Sequence, residues 1–362
     1  PHFDLDPGRL YEGGAPTIAT GGAVSNTGMS MHILGVPVTL MGKIGRDSFG
    51  QSVLDVIRRR APGLEAGITV SEQADTSYSI VINIPGIDRI FLHCPGANAT
   101  YCAADVDWQA VADAHLFHFG YPSFMAAMYQ DNGRELRAMY RQAKDCGVTT
   151  SLDPGMPDPA GPAGQVDWNG LLAALLPDVD VFMPSADELL YMLAPDRFGQ
   201  GDNLAPEELH QLGNTLLQLG AAVAAVKLGK RGMYIRTAGR ERLAAMGAGQ
   251  PAGLDDWANR EMWFPIFKED RFLGATGAGD SSIAAFLAAM LRGLPMREAG
   301  CFAAAVGACN VEAPDSLSGI KTWDETMARI HQGWEKVPVA IHAPDWQLAD
   351  GVWLGPANRN QG

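Results

Sequence analysis

Positive charge is scarce in this sequence. Its 362 residues carry 27 Lys and Arg against 41 Asp and Glu, a net charge of −14 with His neutral. Duplex nucleic acid is held by clustered basic side chains that neutralise phosphates, so that partner is excluded. An anionic membrane surface is excluded on the same ground. The one basic cluster, Arg58-Arg59-Arg60, reads as a solvated helix end. Long apolar runs are also missing: the best candidate, residues 283–291, falls well short of the roughly 18–20 residues that span a bilayer. No signal peptide is visible, and the first residue is Pro1 rather than Met, so the sequence is expected to begin after the start of translation.

Cysteine is sparse, five residues with no C-x-x-C pair, which suits reduced thiols in a cytoplasm and excludes a disulfide scaffold. Cys301 and Cys309 share a helical stretch and read as packing residues. The eight His form no H-E-x-x-H. His115 and His118 lie in a strand-like run on opposite faces, which disfavours a shared metal. Neither G-x-G-x-x-G nor G-x-x-x-x-G-K-[ST] occurs, since Gly42-Lys43 and Gly229-Lys230 continue into Ile44 and Arg231. A nicotinamide dehydrogenase is disfavoured accordingly.

What is present is a core-forming composition, 47% apolar and 19% charged. Short β-branched runs alternate with Ala/Leu-rich helical stretches. Strands are expected at 36–42, 115–120, 148–153, 179–183 and 223–228, with a further one at 262–267. Helices are expected at 23–34, 50–59, 131–145, 171–176, 186–193 and 206–219. This order predicts a doubly wound α/β fold, a mostly parallel sheet with helices on both faces. Residues 76–84 and 89–94 break the alternation as a hairpin turning at 85–88. With residues 9–20 they would form a small second sheet, either a lid over a site or an edge of the main sheet. The tail from 337 to 362 reads as an extension along the surface, fraying from Asn358. One domain spanning 1–362, rather than two, accommodates all of this.

The strongest local signal is Gly274-Ala275-Thr276-Gly277-Ala278-Gly279-Asp280, feeding an apolar helix that Gly293 and Pro295 stop. A glycine-rich turn at a helix start directs unpaired backbone N–H groups and the helix dipole at one spot, which suits an anion. Asp280 is then either a helix cap or a catalytic acid or base. A second segment runs Gly21-Gly22-Ala23-Val24-Ser25-Asn26, then Leu34-Gly35, then Gly45-Arg46-Asp47-Ser48-Phe49-Gly50. Asn26 is either a polyol contact or a local cap, and Asp47 reads as a helix-start residue.

Taken together and in this order, the two segments resemble the signatures of the PfkB (ribokinase-like) family of sugar kinases. Gly96-Ala97-Asn98 looks like the stretch after that family's lid, Pro184-Ser185-Ala186-Asp187-Glu188 like its N-x-x-E segment, and Leu228-Gly229-Lys230-Arg231-Gly232 like its nucleotide-side strand end. The resemblance implies transfer of the γ-phosphate of ATP to a sugar hydroxyl. It implies Asp280 as general base and the N–H groups of Gly277, Ala278 and Gly279 as the anion hole. It further implies Mg²⁺ near Glu188 and Asp187 through water. The sugar would meet Gly21, Gly22, Asn26, Tyr78 and Asn98, and the nucleotide Thr276, Lys227, Gly229 and Gly232.

Departures from the pattern carry their own expectations. Gly274 stands where the family usually has an Asp that helps bind a monovalent cation, which speaks against potassium activation. Ser185 replaces the usual Asn, and Ser282 and Ala285 replace the usual Phe and Gly. The family's first strand, ending in a sugar-binding Asp, has no counterpart before Arg9; Asp4 and Asp6 resemble the segment after that strand. The alternatives are a nucleoside kinase of the adenosine type and a sugar- or nucleotide-binding regulator without turnover. A lid sheet with a free edge predicts a homodimer.

Overall fold

The computed structural model describes residues 7–16, 18–82 and 90–361. Eight strands form one mixed sheet: β5 (Leu116–Gly120), β6 (Thr149–Asp153), β7 (Val181–Phe182), β8 (Val223–Lys227), β9 (Met233–Thr237), β10 (Glu261–Phe264), β11 (Gln347–Ala349) and β12 (Val352–Leu354). Their order across the sheet is β11-β12-β10-β9-β8-β7-β6-β5. The half from β5 to β8 is parallel, as the alternating pattern predicts, and the half from β8 to β12 is antiparallel. Strand β6 is buried at every position, so its hydroxyls need internal partners: Thr149 donates to Met246 O at 3.1 Å and Thr150 to Asp178 O at 2.7 Å.

Helices cover both faces. On one side the apolar helices Ala278–Leu291 and Met296–Asn310 pack on Met233, Ile235 and Phe264. The first of these is buried on all sides from Ile283 to Met290, which accounts for its unbroken apolar run. On the other side Ala126–Asp145, Trp168–Leu175, Ala186–Leu193 and Pro206–Gln218 enclose a second core around Phe182, Tyr234 and Trp263. Within the first of these four helices, Gln130 to Gly133 leave helical geometry, so the expected start at Asp131 falls on a break. Among the described residues no helix is long and apolar enough to cross a membrane.

Two small sheets complete the architecture: β1 (Gly42–Gly45) with β2 (Ile68–Ser71), parallel, and the hairpin β3 (Tyr78–Ile82) with β4 (Ile90–Cys94). Three expectations change. The strand foreseen at 36–42 starts only at Gly42, where a ladder partner, Ile68, becomes available; residues 36–41 line a cleft instead. Residues 9–16 and 18–20 contribute no strand, so the hairpin stands without them, and its turn at 85–88 lies outside the described residues. The tail is not a loose wrap: β11 and β12 extend the main sheet, and Asn358, expected to fray, donates through Nδ2 to Gly355 O at 3.0 Å and to Glu261 O.

Candidate active site

The parallel strands β5, β6 and β8 end at one place, as expected where ligands meet an open α/β sheet. Beyond β5 comes Tyr121, β6 ends in Asp153 and β8 in Lys227. The helix starting at Ala278 points its first turn at the same place and carries Asp280, which is only 6% exposed.

Asp280 is fixed by three donors from two distant segments. Asn26 Nδ2 donates to Oδ2 at 3.0 Å, Thr27 Oγ1 donates to Oδ1 at 3.3 Å, and the Tyr121 hydroxyl also donates to Oδ1. Asn26 and Thr27 reach it together because residues 24–28 form a wide π turn, a helix variant common at functional sites. The side-chain oxygen of Asn26, Oδ1, is buried and has no protein partner.

Beside this lies a buried ion pair, Lys227 Nζ to Asp153 Oδ1 at 2.9 Å. Burial pushes the Asp153 carboxyl up, the Lys227 ammonium opposes this, and the charges of Glu188 and Asp280 add to it. For Lys227, burial works to lower its pKa but is outweighed by the charges of Asp153 and Glu188, so the net direction is up. Three carboxylates thus crowd round one ammonium. Lys227 also lies alongside the glycine turn: a Cβ on Gly279 would sit 3.4 Å from Lys227 Cδ. Gly277 has φ +80, and a Cβ there would approach Ser316 Cβ to 2.5 Å. Only glycine suits that position.

The remaining foreseen residues fall into groups. Gly21, Gly22, Tyr78 and Asn98 line a cleft of ≈ 1900 Å³ that reaches Thr27 and Tyr121. Tyr78 stacks on Phe49 with ring centroids 4.8 Å apart. The N–H of Ala278, foreseen with those of Gly277 and Gly279, is used by the turn itself, donating to Ala275 O at 3.2 Å. Glu188 closes a capping box with Ser185: its Oε2 accepts from Ser185 N at 2.6 Å, leaving Oε1 for other work. Asp187 turns away and accepts from Gly201 N at 2.9 Å. Gly229 faces open space, whereas Gly232 allows close packing, since a Cβ there would run into Phe264 O at 1.9 Å. Thr276 is exposed on the glycine turn. Among the described residues no three His, Cys, Asp or Glu side chains form a direct metal cage.

Asp47 caps the helix Ser48–Arg60 through Gly50 N at 2.7 Å, and also accepts from Thr76 N at 2.7 Å. Thr76 Oγ1 in turn accepts from Gly45 N at 2.8 Å. The Gly45–Gly50 signature therefore ties down the root of the β3–β4 hairpin. Sequence reasoning missed Tyr121, Thr27 and Asp153. The available signal was positional: Tyr121 comes after a glycine at a strand end and precedes Pro122, and Asp153 ends a buried strand before Pro154-Gly155.

Comparison with known proteins adds a frame to this geometry. The profile of the pfkB family of carbohydrate kinases matches residues 3–323. Fructokinase-2 of Oryza sativa subsp. japonica is 27% identical over 189 residues, 52% of this chain and 55% of that protein. The chain thus spans about half the length of that relative. The 2-dehydro-3-deoxygluconokinase of Bacillus subtilis is 24% identical over 322 residues, 87% of each chain. Among solved structures, a ribokinase from Giardia lamblia superposes with a TM-score of 0.69 at 18% identity, covering 91% of this chain and 93% of that one. A fructokinase with bound ATP from Xylella fastidiosa gives 0.67 at 20% identity, covering 86% and 90%.

Proposed function

The chain belongs to the pfkB family of carbohydrate kinases, and from that premise we propose that it transfers the γ-phosphate of ATP to a hydroxyl of a sugar bound in the cleft. The observation that carries this is the buried Asp280 carboxylate, set at a helix start beside Gly277, Gly279 and Lys227. Asp280 takes the proton of the attacking hydroxyl. The N–H groups of Gly277 and Gly279 and the Lys227 ammonium stabilise charge on the transferred phosphoryl group.

The sugar meets Gly21, Gly22 and Asn98, which line the cleft, with Tyr78 over it from the β3–β4 hairpin acting as a lid, and Asn26 acts through its hydrogen bond to Asp280. Mg²⁺ fits the donor set. Three carboxylates face one ammonium, Glu188 has an oxygen outside its capping box, and Mg²⁺ is held by one or two carboxylates with water and phosphate oxygens. When bound it neutralises phosphate charge; Glu188 holds it through water. Thr276 and Gly229 border the nucleotide. The exposed Ile80, Val81, Phe91 and Leu92 on the lid support its pairing with a second copy.

The test is ADP release with Mg-ATP across a panel of neutral sugars, sugar acids and nucleosides. Turnover with a sugar is expected, and Asp280→Asn should lower kcat by about 10²–10⁴. Near-normal kcat in that variant would remove Asp280 from its role. Ligand binding without any turnover would favour a regulator.

A further inference from the structure

We propose that the Tyr121 hydroxyl caps Asp280 while no sugar is bound, and that the acceptor hydroxyl displaces it, so that phosphate is not passed to water. The inference rests on Asp280 being the base. Oδ1 of Asp280 accepts from both Tyr121 and Thr27, which line the cleft and fill its two lone pairs, and Oδ2 accepts from the buried Asn26.

Tyr121 is held there against its own backbone preference. It has φ 66 and ψ 48, a left-handed conformation that a bulky residue rarely adopts. Three features impose it. Its N–H donates to Asp153 O at 2.9 Å. Its ring meets Phe124 edge-on, with centroids 5.5 Å apart. Gly155 packs so closely that a Cβ there would come within 3.2 Å of Tyr121 Cα and Cβ. Burial, then the charges of Asp280 and Asp153, hold the phenol far above its ordinary pKa, so it stays a donor and cannot itself act as base.

The problem this solves is chemical. A kinase with a preformed base and anion hole is also an ATPase: a water oxygen attacks the γ-phosphorus, its proton passes to Asp280, and the bond to the bridging oxygen breaks with its electron pair leaving on ADP. While Tyr121 and Thr27 both donate to Oδ1, its two lone pairs are filled and a water on the cleft side has no acceptor on that oxygen for its proton. A sugar hydroxyl, positioned by the rest of the polyol, exchanges one donor for another.

The experiment measures ADP and sugar phosphate from Mg-ATP, with and without the accepted sugar, in the full chain and in Tyr121→Phe and Asp280→Asn. Tyr121→Phe should raise sugar-independent ADP release by about tenfold and lower the yield of sugar phosphate per ADP. Damage to the fold would lower both rates, so the rise separates a cap from a packing residue. Should Tyr121→Phe misfold by thermal melting, Tyr121→Asn, which tolerates left-handed φ but is too short to reach Asp280, gives the same readout. Unchanged sugar-independent release in a folded variant of an active enzyme overturns the cap alone. A parent chain that transfers phosphate to none of the sugars or nucleosides overturns the base assignment and the cap with it.

Discussion

Glycine serves two different ends among the positions of the two motifs that flank the site. In the front segment it lets backbones touch: a Cβ on Gly45 would lie 2.5 Å from Ala74 O, and one on Gly50 only 2.3 Å from Gly45 O. There Gly45 and Gly50 close space, although Gly21 and Gly22 at the start of the same motif meet nothing within 4 Å, and the root of the β3–β4 hairpin is tied to the helix Ser48–Arg60 through Asp47 and Thr76. In the rear segment a Cβ on Gly274 would meet nothing nearer than 3.6 Å, and one on Gly279 nothing nearer than the flexible Lys227 stem at 3.4 Å. There Gly274 and Gly279 leave space open, while Gly277 between them packs against Ser316. A glycine count cannot separate these uses, whereas the neighbour of the absent side chain can.

The contrast is open to attack by substitution. The largest effect is expected from Gly277→Ala, which forces a left-handed alanine against Ser316; together these cost about 2–5 kcal/mol. Steady-state kinetics should show kcat lowered by about 10²-fold or more, with sugar affinity by calorimetry nearly kept. Gly50→Ala comes next, at about 1–3 kcal/mol of stability in urea unfolding. Its kinetic signature should be a raised KM for the sugar with kcat largely intact, because the lid moves and the base does not. A fall in kcat without a change in KM would erase the distinction between the two motifs.

The smallest effect is expected from Asp47→Ala, about 1 kcal/mol for a lost helix cap. Hydrogen bonds from Thr76 N and Gly50 N hold the Asp47 carboxyl below its ordinary pKa. A depressed carboxylate adds stability above its unfolded pKa and loses it as pH falls through the folded value. The gap between parent and variant should therefore be full at pH 7 and close below about pH 4, as read by unfolding at both pH values.

Much of this was legible in the sequence for a physical reason. Amphipathic and wholly apolar helices announce themselves by period, and 186–193 and 206–219 were read to within a residue of what forms. Asp280 and the glycine turn were legible because an anion site at a helix start needs neighbours in sequence. The strand at 36–42 was misread because β-branched composition says nothing of whether a partner stands alongside. Tyr121, Thr27 and Asp153 were not legible because their meaning is convergence: each is ordinary where it stands and becomes part of a site only when several strand ends meet. Asp187 and Glu188, adjacent in sequence, each give one oxygen to a backbone N–H, that of Gly201 and that of Ser185.

Asn26 and Asp280 are separated by 254 residues, yet one hydrogen bond joins them. Contacts this remote along the chain form late, after local hairpins such as β11–β12 and the helices have settled. The Asp280 carboxylate therefore takes up its hydrogen bonds from Asn26, Thr27 and Tyr121 only once segments from the two ends of the chain have met.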